Sequence, residues 1–376
     1  MAKRRYELDT RVLTVFFFVA MPFVAFGSFV VVNMARGSLQ ASLGASLEQR
    51  AVETKLHLER YVGDQFVHLQ MLAREPVLQA ALVASKAVDA AQARALEQGW
   101  TSDDDKVVTP LVGSPVALRL REFAQLQPGM RLLQLVDSGG RLVATSARGG
   151  RLLNADTPWF RTLLLEGQRP HVTDVYRQPG SSLALLDIAY PMVSPEDGRL
   201  LGALRAVIDA SDLYTVLAPV RVGRTGHAVL VRSTDGMILA SDETAKPLNQ
   251  SLPGFAAIQA AMADRRGYWL VQEIREKDKP GGGEGALIEP RRLVGFSTVD
   301  QVPGVQWLVT VEQDAAEAEA PILGVTRYLW IHFIGAFLTV ILLAVYFSFK
   351  LETPVIEEEL HLHEEHVPAS ARVEPQ

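Results

Sequence analysis

The sequence predicts an α+β chain: a long N-terminal stalk helix, then two tandem modules of antiparallel sheet, the whole flanked by two transmembrane helices. Three observations carry this expectation. Long apolar runs stand near both ends of the chain, at Val12–Val32 and Tyr328–Phe349. Leucines at helical spacing follow the first run, and a strand–turn–strand–helix–strand–strand pattern then occurs twice.

Val12–Val32 is 21 residues without a charge and Tyr328–Phe349 is 22 more. At ~1.5 Å rise per residue each crosses the roughly 30 Å hydrocarbon layer. Asn33-Met34-Ala35-Arg36 offers no small-x-small cleavage site, so the first run reads as an uncleaved anchor. Lys3, Arg4, Arg5 and Arg11 keep its N-terminal flank in the cytoplasm. The second span returns the chain to that side, with Tyr328 and Trp330 placed as interfacial anchors at its outer end and Lys350 at its exit. The expectation is a two-pass protein of the bacterial inner membrane with both termini cytoplasmic and residues 34–327 extracytoplasmic.

From Ser38 to about Gln98 the pattern is helical. Leu39, Leu43 and Leu47, then Val62, Phe66, Leu69 and Ala73, recur at three and four residues. Glu48, Arg50, Glu53, Lys55, Glu59 and Arg60 lie between them and are expected to face water or a partner helix. Pro76 kinks or divides this stalk. Thr101–Lys106 reads as a polar loop, and a short helix over Ala117–Gln127 ends at Pro128-Gly129.

The first copy of the repeated pattern opens at Leu132–Ser146 around a Ser-Gly-Gly turn, the second at His227–Ser241 around Asp235-Gly236. Asp-Gly between apolar runs signals a hairpin, because the turn needs positive φ. Helical pieces follow at Pro158–Glu166 and Gly254–Asp264. Strands close the first copy at Leu183–Val193 and Leu200–Asp209, and the second at Leu293–Val299 and Val305–Glu312. Two such α/β units argue for two similar modules.

Composition removes several function classes. Hydrophobic residues make up 48% and charged ones 21%, which excludes a disordered chain. A net charge of −6 argues against nucleic acid as a partner. With no cysteine there is no disulfide, thiolate nucleophile or Cys-based metal centre. No Gly-x-Ser-x-Gly elbow or His-Glu-x-x-His motif occurs, and neither an enzyme nor a cofactor is expected.

Taken together, the anchor, the stalk and the doubled module resemble the double Cache (dCache) extracytoplasmic sensor domain of bacterial signal transduction. The resemblance covers nearly all of residues 34–315. It is carried by LVDSGGRLVATS (135–146), Trp159-Phe160 opening a helix, Tyr176, GALRAVIDASDL (202–213) with Asp209, and VPGVQWLVTVEQ (302–313) with Trp307. It implies PAS-like modules, a membrane-distal one over 129–215 and a membrane-proximal one over 216–315. The remaining expected divisions are a cytoplasmic N-terminus at 1–11, spans at 12–32 and 328–349, stalk and connecting helices at 34–128, and a cytoplasmic acidic, His-bearing tail at 350–376.

Relatives that bind amino acids carry, by the same resemblance, an Arg two places before the Trp, an aromatic after it, a Tyr-x-Asp and a final Asp. Trp159, Phe160, Tyr176 and Asp209 stand at those places, while Thr157 replaces the Arg and Gln178 the first Asp. A carboxylate ligand wants a guanidinium and an ammonium wants acidic acceptors, so Arg161 or Arg177 would have to replace the missing arginine. Asp187 and Tyr190, polar in the apolar LLDIAYPM strand, are further ligand candidates. Each has a plain alternative: core packing for Trp159 and Phe160, cross-strand packing for Tyr176, a helix cap for Asp209, and surface alternation for Asp187 and Tyr190.

Pro280–Gly285 lacks the Gly-Lys-Ser/Thr ending of a phosphate loop and reads as a loop tip. The tail His361–His366 lacks the spacing of a helical metal site and reads as a solvated acidic segment. Residues 350–376 are too few for a kinase, cyclase or methyl-accepting output domain. The expected function is a sensory subunit, homodimeric through its stalk, that binds a small molecule (an amino acid, amine or carboxylate) and signals through its spans to a separate partner. The competing expectation is a non-catalytic envelope scaffold whose modules bind another protein.

Overall fold

The computed structural model describes residues 21–165, 169–178, 183–241, 250–271, 274–277, 285–288 and 291–350. Five helices come first: α1 (Met21–Ala73), α2 (Pro76–Ala84), α3 (Ala90–Thr101), α4 (Asp105–Gly113) and α5 (Pro115–Leu126). The first module follows with strands β1 (Met130–Asp137) and β2 (Leu142–Thr145), helix α6 (Pro158–Leu165), and strands β3 (His171–Val172), β4 (Tyr176–Arg177), β5 (Ala184–Val193) and β6 (Leu200–Asp209). Helix α7 (Ser211–Leu217) leads to the second module. Its elements are β7 (Arg221–Val222), β8 (Gly226–Arg232), β9 (Ile238–Ser241), α8 (Phe255–Ala261), β10 (Arg266–Val271), β11 (Ile274–Lys277), β12 (Gly285–Ile288), β13 (Arg292–Val299) and β14 (Trp307–Asp314). Helix α9 (Ala315–Lys350) follows β14 directly.

Each module is an antiparallel sheet built the same way. The first runs β2-β1-β6-β5-β3, with β4 also on β5; the second runs β10-β13-β14-β8-β7, with β9 also on β8. The opening hairpin therefore lies beside the last strand in both. Gly236 holds φ at +70°, as the Asp-Gly turn requires. Residues 280–284 fall outside the described residues, and their flanks pair as the hairpin β11–β12.

The stalk divides at Pro76, as expected, and again where no break was read. It breaks after Ala73, and Pro76 starts α2, where a missing N–H costs nothing. It breaks again before Ala90, where Asp89 and Gln92 form a capping box. The expected loop at 101–106 is shorter than read, because Asp104 caps α4 through the Lys106 N–H.

Two sets of residues eleven apart form the buried stripe of α1: Leu47, Leu58 and Leu69, then Ala51, Val62 and Ala73. Eleven residues are close to three turns of 3.6, so the stripe stays on one side of a straight helix. Its cluster takes in residues of both sheets, Leu133, Leu186 and Leu204 of the first with Leu230, Leu293 and Val309 of the second. Glu59, expected to face water or a partner helix, is instead buried. Its Oε1 accepts from the backbone N–H of Asp300 (2.9 Å) and Gln301 (3.0 Å), beyond the end of β13.

Residues 35–322 form one compact unit, and the described residues 21–34 and 323–350 belong to another. Within the latter, Phe23, Phe26 and Phe29 of α1 and Trp330, Ile334 and Leu338 of α9 are more than half exposed. Among the described residues one helix, over Ala315–Thr339, is long and apolar enough to cross a membrane. The span read at Val12–Val32 lies partly outside the described residues, and the tail with His361–His366 wholly so.

At Gly295 of β13 a Cβ would sit 2.3 Å from the backbone nitrogen of Glu48. A methyl there would push α1 off the sheet. Gly295→Ala is expected to cost about 1–3 kcal/mol in denaturant unfolding of the full chain; an unchanged midpoint contradicts this close packing.

Candidate functional site

Alternation along β5 and β6 sends one set of side chains towards α1 and the other to the opposite face. On that opposite face Val136, Leu142, Ala189 and Ala203 pack with Trp159 and Phe160 of α6. Helix α6 is set by Thr157, whose carbonyl accepts from the Arg161 N–H at 3.1 Å. The Thr157 hydroxyl donates to the Asn154 carbonyl at 2.6 Å. Trp159 and Phe160 are 4% and 1% exposed and meet edge to face, centroids 5.4 Å apart. Core packing is thus part of their role. Yet Trp159 Nε1, though buried, donates to no described residue, and a buried N–H is costly to leave unpaired.

Beside it lies a charged network. The Tyr176 hydroxyl donates to Asp187 Oδ1 at 2.8 Å. Arg205 donates to Asp187 Oδ2 through Nη2 (2.6 Å) and Nε (3.1 Å), and through Nη1 to Gln134 Oε1 (2.9 Å). Gln134 in turn donates to the Gly149 carbonyl at 3.1 Å. The Arg205 guanidinium also stands 5.3 Å over the Trp159 ring. Burial, then the Asp187 charge, push the Tyr176 hydroxyl well above the ordinary tyrosine value, so it remains a donor. The ion pair is nearly dry, with Asp187 and Arg205 side chains 5% and 12% exposed.

Trp159, Phe160, Tyr176 and Asp187 thus come together, while three other candidates stand apart. Asp209 caps α7: its Oδ1 accepts from the Ser211 N–H (3.0 Å) and hydroxyl (2.7 Å), and its Oδ2 from Arg131 Nε (3.1 Å). Tyr190, three residues from Asp187 on one strand, packs against the α1-side core. Arg161 is exposed, as is Arg177. Sequence reasoning missed Gln134 and Arg205. The signal was available, since each is a polar residue inside an apolar strand, as Asp187 is.

Cavities of about 480 and 590 Å³ open elsewhere on the module, along α3 and α4. Among the described residues no group of three or more His, Asp or Glu side chains is arranged to hold a metal ion.

Between β3 and β4 a short connection reaches from this network to the second module. Thr173 exchanges hydrogen bonds with Asp187: its N–H donates to the Asp187 carbonyl (2.9 Å), and its hydroxyl accepts from the Asp187 N–H (3.0 Å). The next residue, Asp174, accepts from Trp307 Nε1 and Arg232 Nε, both at 2.8 Å. The Val172 N–H donates to the Pro303 carbonyl at 3.0 Å.

Residues 36–322 match the family described as Cache domain, in its double form. The chain belongs to the dCache family. No curated protein matches it. Solved structures with a similar fold include three chemoreceptor ligand-binding domains. One, from Pseudomonas aeruginosa PAO1 amino acid chemoreceptor PctC with GABA, is 19% identical, covers 72% of this chain and 100% of that one, and has a TM-score of 0.44. That of Pseudomonas fluorescens CtaA with L-isoleucine is 15% identical (76% and 98% covered, 0.44). That of Campylobacter jejuni Tlp3 with 4-methylisoleucine is 13% identical (75% and 94%, 0.47).

Burial would raise the Asp209 carboxyl, but the hydrogen bonds from Ser211 and Arg131 outweigh it and hold the group below the ordinary 3.8. A depressed carboxyl contributes its full stability above the unfolded value and loses it as pH falls through the folded one. Asp209→Asn is therefore expected to lower the unfolding midpoint at pH 7, the gap to the parent narrowing below about pH 4. A gap unchanged down to pH 2 contradicts the capping role.

Proposed function

We propose that this dCache protein is a membrane-anchored extracytoplasmic sensor whose first module binds a small molecule at Trp159, Tyr176, Asp187 and Arg205. The observation that carries the reading is the buried, unpaired Trp159 N–H beside a dry carboxylate–guanidinium pair. A ligand with an acceptor group satisfies that N–H, and Arg205 is near enough to share a carboxylate. Asp187 and Arg205 neutralise each other, and the group left without a partner is a donor, the Trp159 N–H, so small carboxylates are the favoured class. Amino acids and amines remain in the test.

Binding at Asp187 is coupled to the second module through Thr173 and Asp174. Trp307, held by Asp174, opens β14, and β14 leads straight into α9. The ligand biases the module arrangement by no more than its difference in affinity for the two states, typically ~1–3 kcal/mol. The basic N-terminal flank and the exposed apolar side chains of α9 support a two-pass topology with residues 34–327 outside. Leu56, Val67 and Met71, about half or more exposed on α1, support a homodimer through the stalk, which hands the shift to a partner across the membrane.

Two measurements test this. Full chain in nanodiscs is heated with small carboxylates, amino acids, amines and purines; a true ligand at 100 times its dissociation constant adds about 2.7 kcal/mol. Trp159→Phe, which keeps an aromatic ring and removes the N–H, is expected to weaken that ligand about tenfold with the circular dichroism unchanged. No stabilisation by any compound, with capture of a specific protein by the ectodomain face, overturns the reading in favour of a scaffold. Separately, Asp174→Ala strands the buried Trp307 N–H and is expected to cost about 1–3 kcal/mol in denaturant unfolding; a cost near zero contradicts the module junction.

A further inference from the structure

The second sheet carries a polar and aromatic row of its own, on the face turned away from α1. Register places His227 of β8 opposite Glu312 of β14, Glu312 opposite Val294 of β13, and Val294 opposite Trp269 of β10. With strands ~4.8 Å apart the row is about 14 Å long. Its face is fixed by alternation. Val229, Val294, Leu308 and Val271, each an even number of residues from a member of the row, pack with Phe255 and Ile258 of α8 in a core separate from that of α1.

Glu312 is only 2% exposed. Its Oε2 accepts from Arg292 Nη1 at 2.6 Å, while the buried Oε1 accepts from no described residue. His227 Nδ1 stands 3.1 Å from the Thr225 carbonyl, which can only accept, so Nδ1 carries the hydrogen. The buried Nε2 has no partner among the described residues. Two buried polar atoms without a described partner thus belong to residues directly opposed on adjacent strands. At the other end of the row Trp269 is 49% exposed, an unusual setting for a tryptophan on a sheet face. Asp314 stands opposite Arg292 in register, and Arg221 of β7 stands opposite His227.

We infer that this row is a second ligand site, taking a primary alkylammonium. Its N–H groups satisfy Glu312 Oε1 and His227 Nε2, and its alkyl chain extends towards the Trp269 ring. Arg292 holds Glu312 in place. The site is independent of the one in the first module and stands whether or not that module binds anything.

The test is calorimetric titration of n-butylammonium into the full chain in nanodiscs, with tetramethylammonium, which has no N–H, as comparison. Saturable binding is expected with a dissociation constant under about 1 mM, and tetramethylammonium about tenfold weaker or absent. Trp269→Ala, a change at an exposed position, is expected to weaken n-butylammonium about fivefold and Glu312→Gln about tenfold, with Trp269→Phe retaining it. The inference is overturned by an absence of saturable binding to the parent chain. Equal binding of tetramethylammonium overturns it too, as does binding that Trp269→Ala and Glu312→Gln both leave unchanged.

Discussion

Burial of one straight stripe of α1 against both sheets is the constraint on which the remaining architecture depends. The eleven-residue spacing of Leu47, Leu58 and Leu69, matched by Ala51, Val62 and Ala73, lets a single helix serve two modules. Because one face of each sheet is given to that helix, the opposite face of each is the one left for chemistry. In the first module it carries Trp159, Asp187 and Arg205; in the second, His227, Glu312 and Trp269. The same division explains why Asp187 and Tyr190, three residues apart on β5, do different things.

The stripe also ties the two modules together through one buried cluster. A helix packed on both sheets resists independent motion of either. The Asp174 bridge to Trp307 and Arg232 adds a polar junction beside that apolar one. Hydrogen bonds of this kind are modest in net stabilisation, yet breaking one side of a buried pair is costly. The junction therefore favours a small set of discrete arrangements over continuous drift, as the proposed coupling of the two modules requires.

Much of this was legible in the sequence, for identifiable reasons. The strand Leu200–Asp209 and the two opening hairpins follow from apolar runs bounded by Gly and Asp, where local pattern and final fold agree. The helix breaks at 74–75 and 85–89 were signalled by Pro76 and by the Asp89–Gln92 capping box, though only the first was read. Strand β10 was not seen: RGYWLV shows no clean alternation, because Tyr268 meets α1 at Gly44 while Trp269 points away half-exposed. Glu59 looked like a solvated charge since its partners, the N–H groups of Asp300 and Gln301, lie 241 and 242 residues along the chain. Gln134 and Arg205 were invisible as a pair for the same reason: the hydrogen bonds that join them to Asp187 run between strands distant in sequence.

The most direct test of the central claim is hydrogen exchange of the full chain under mildly destabilising conditions, following β1 peptides over 132–136 and β13 peptides over 294–298. One shared core through α1 predicts that both sheets open together, with the same free energy and the same denaturant dependence. Separate openings, with one sheet exchanging fully while the other stays protected, would contradict it.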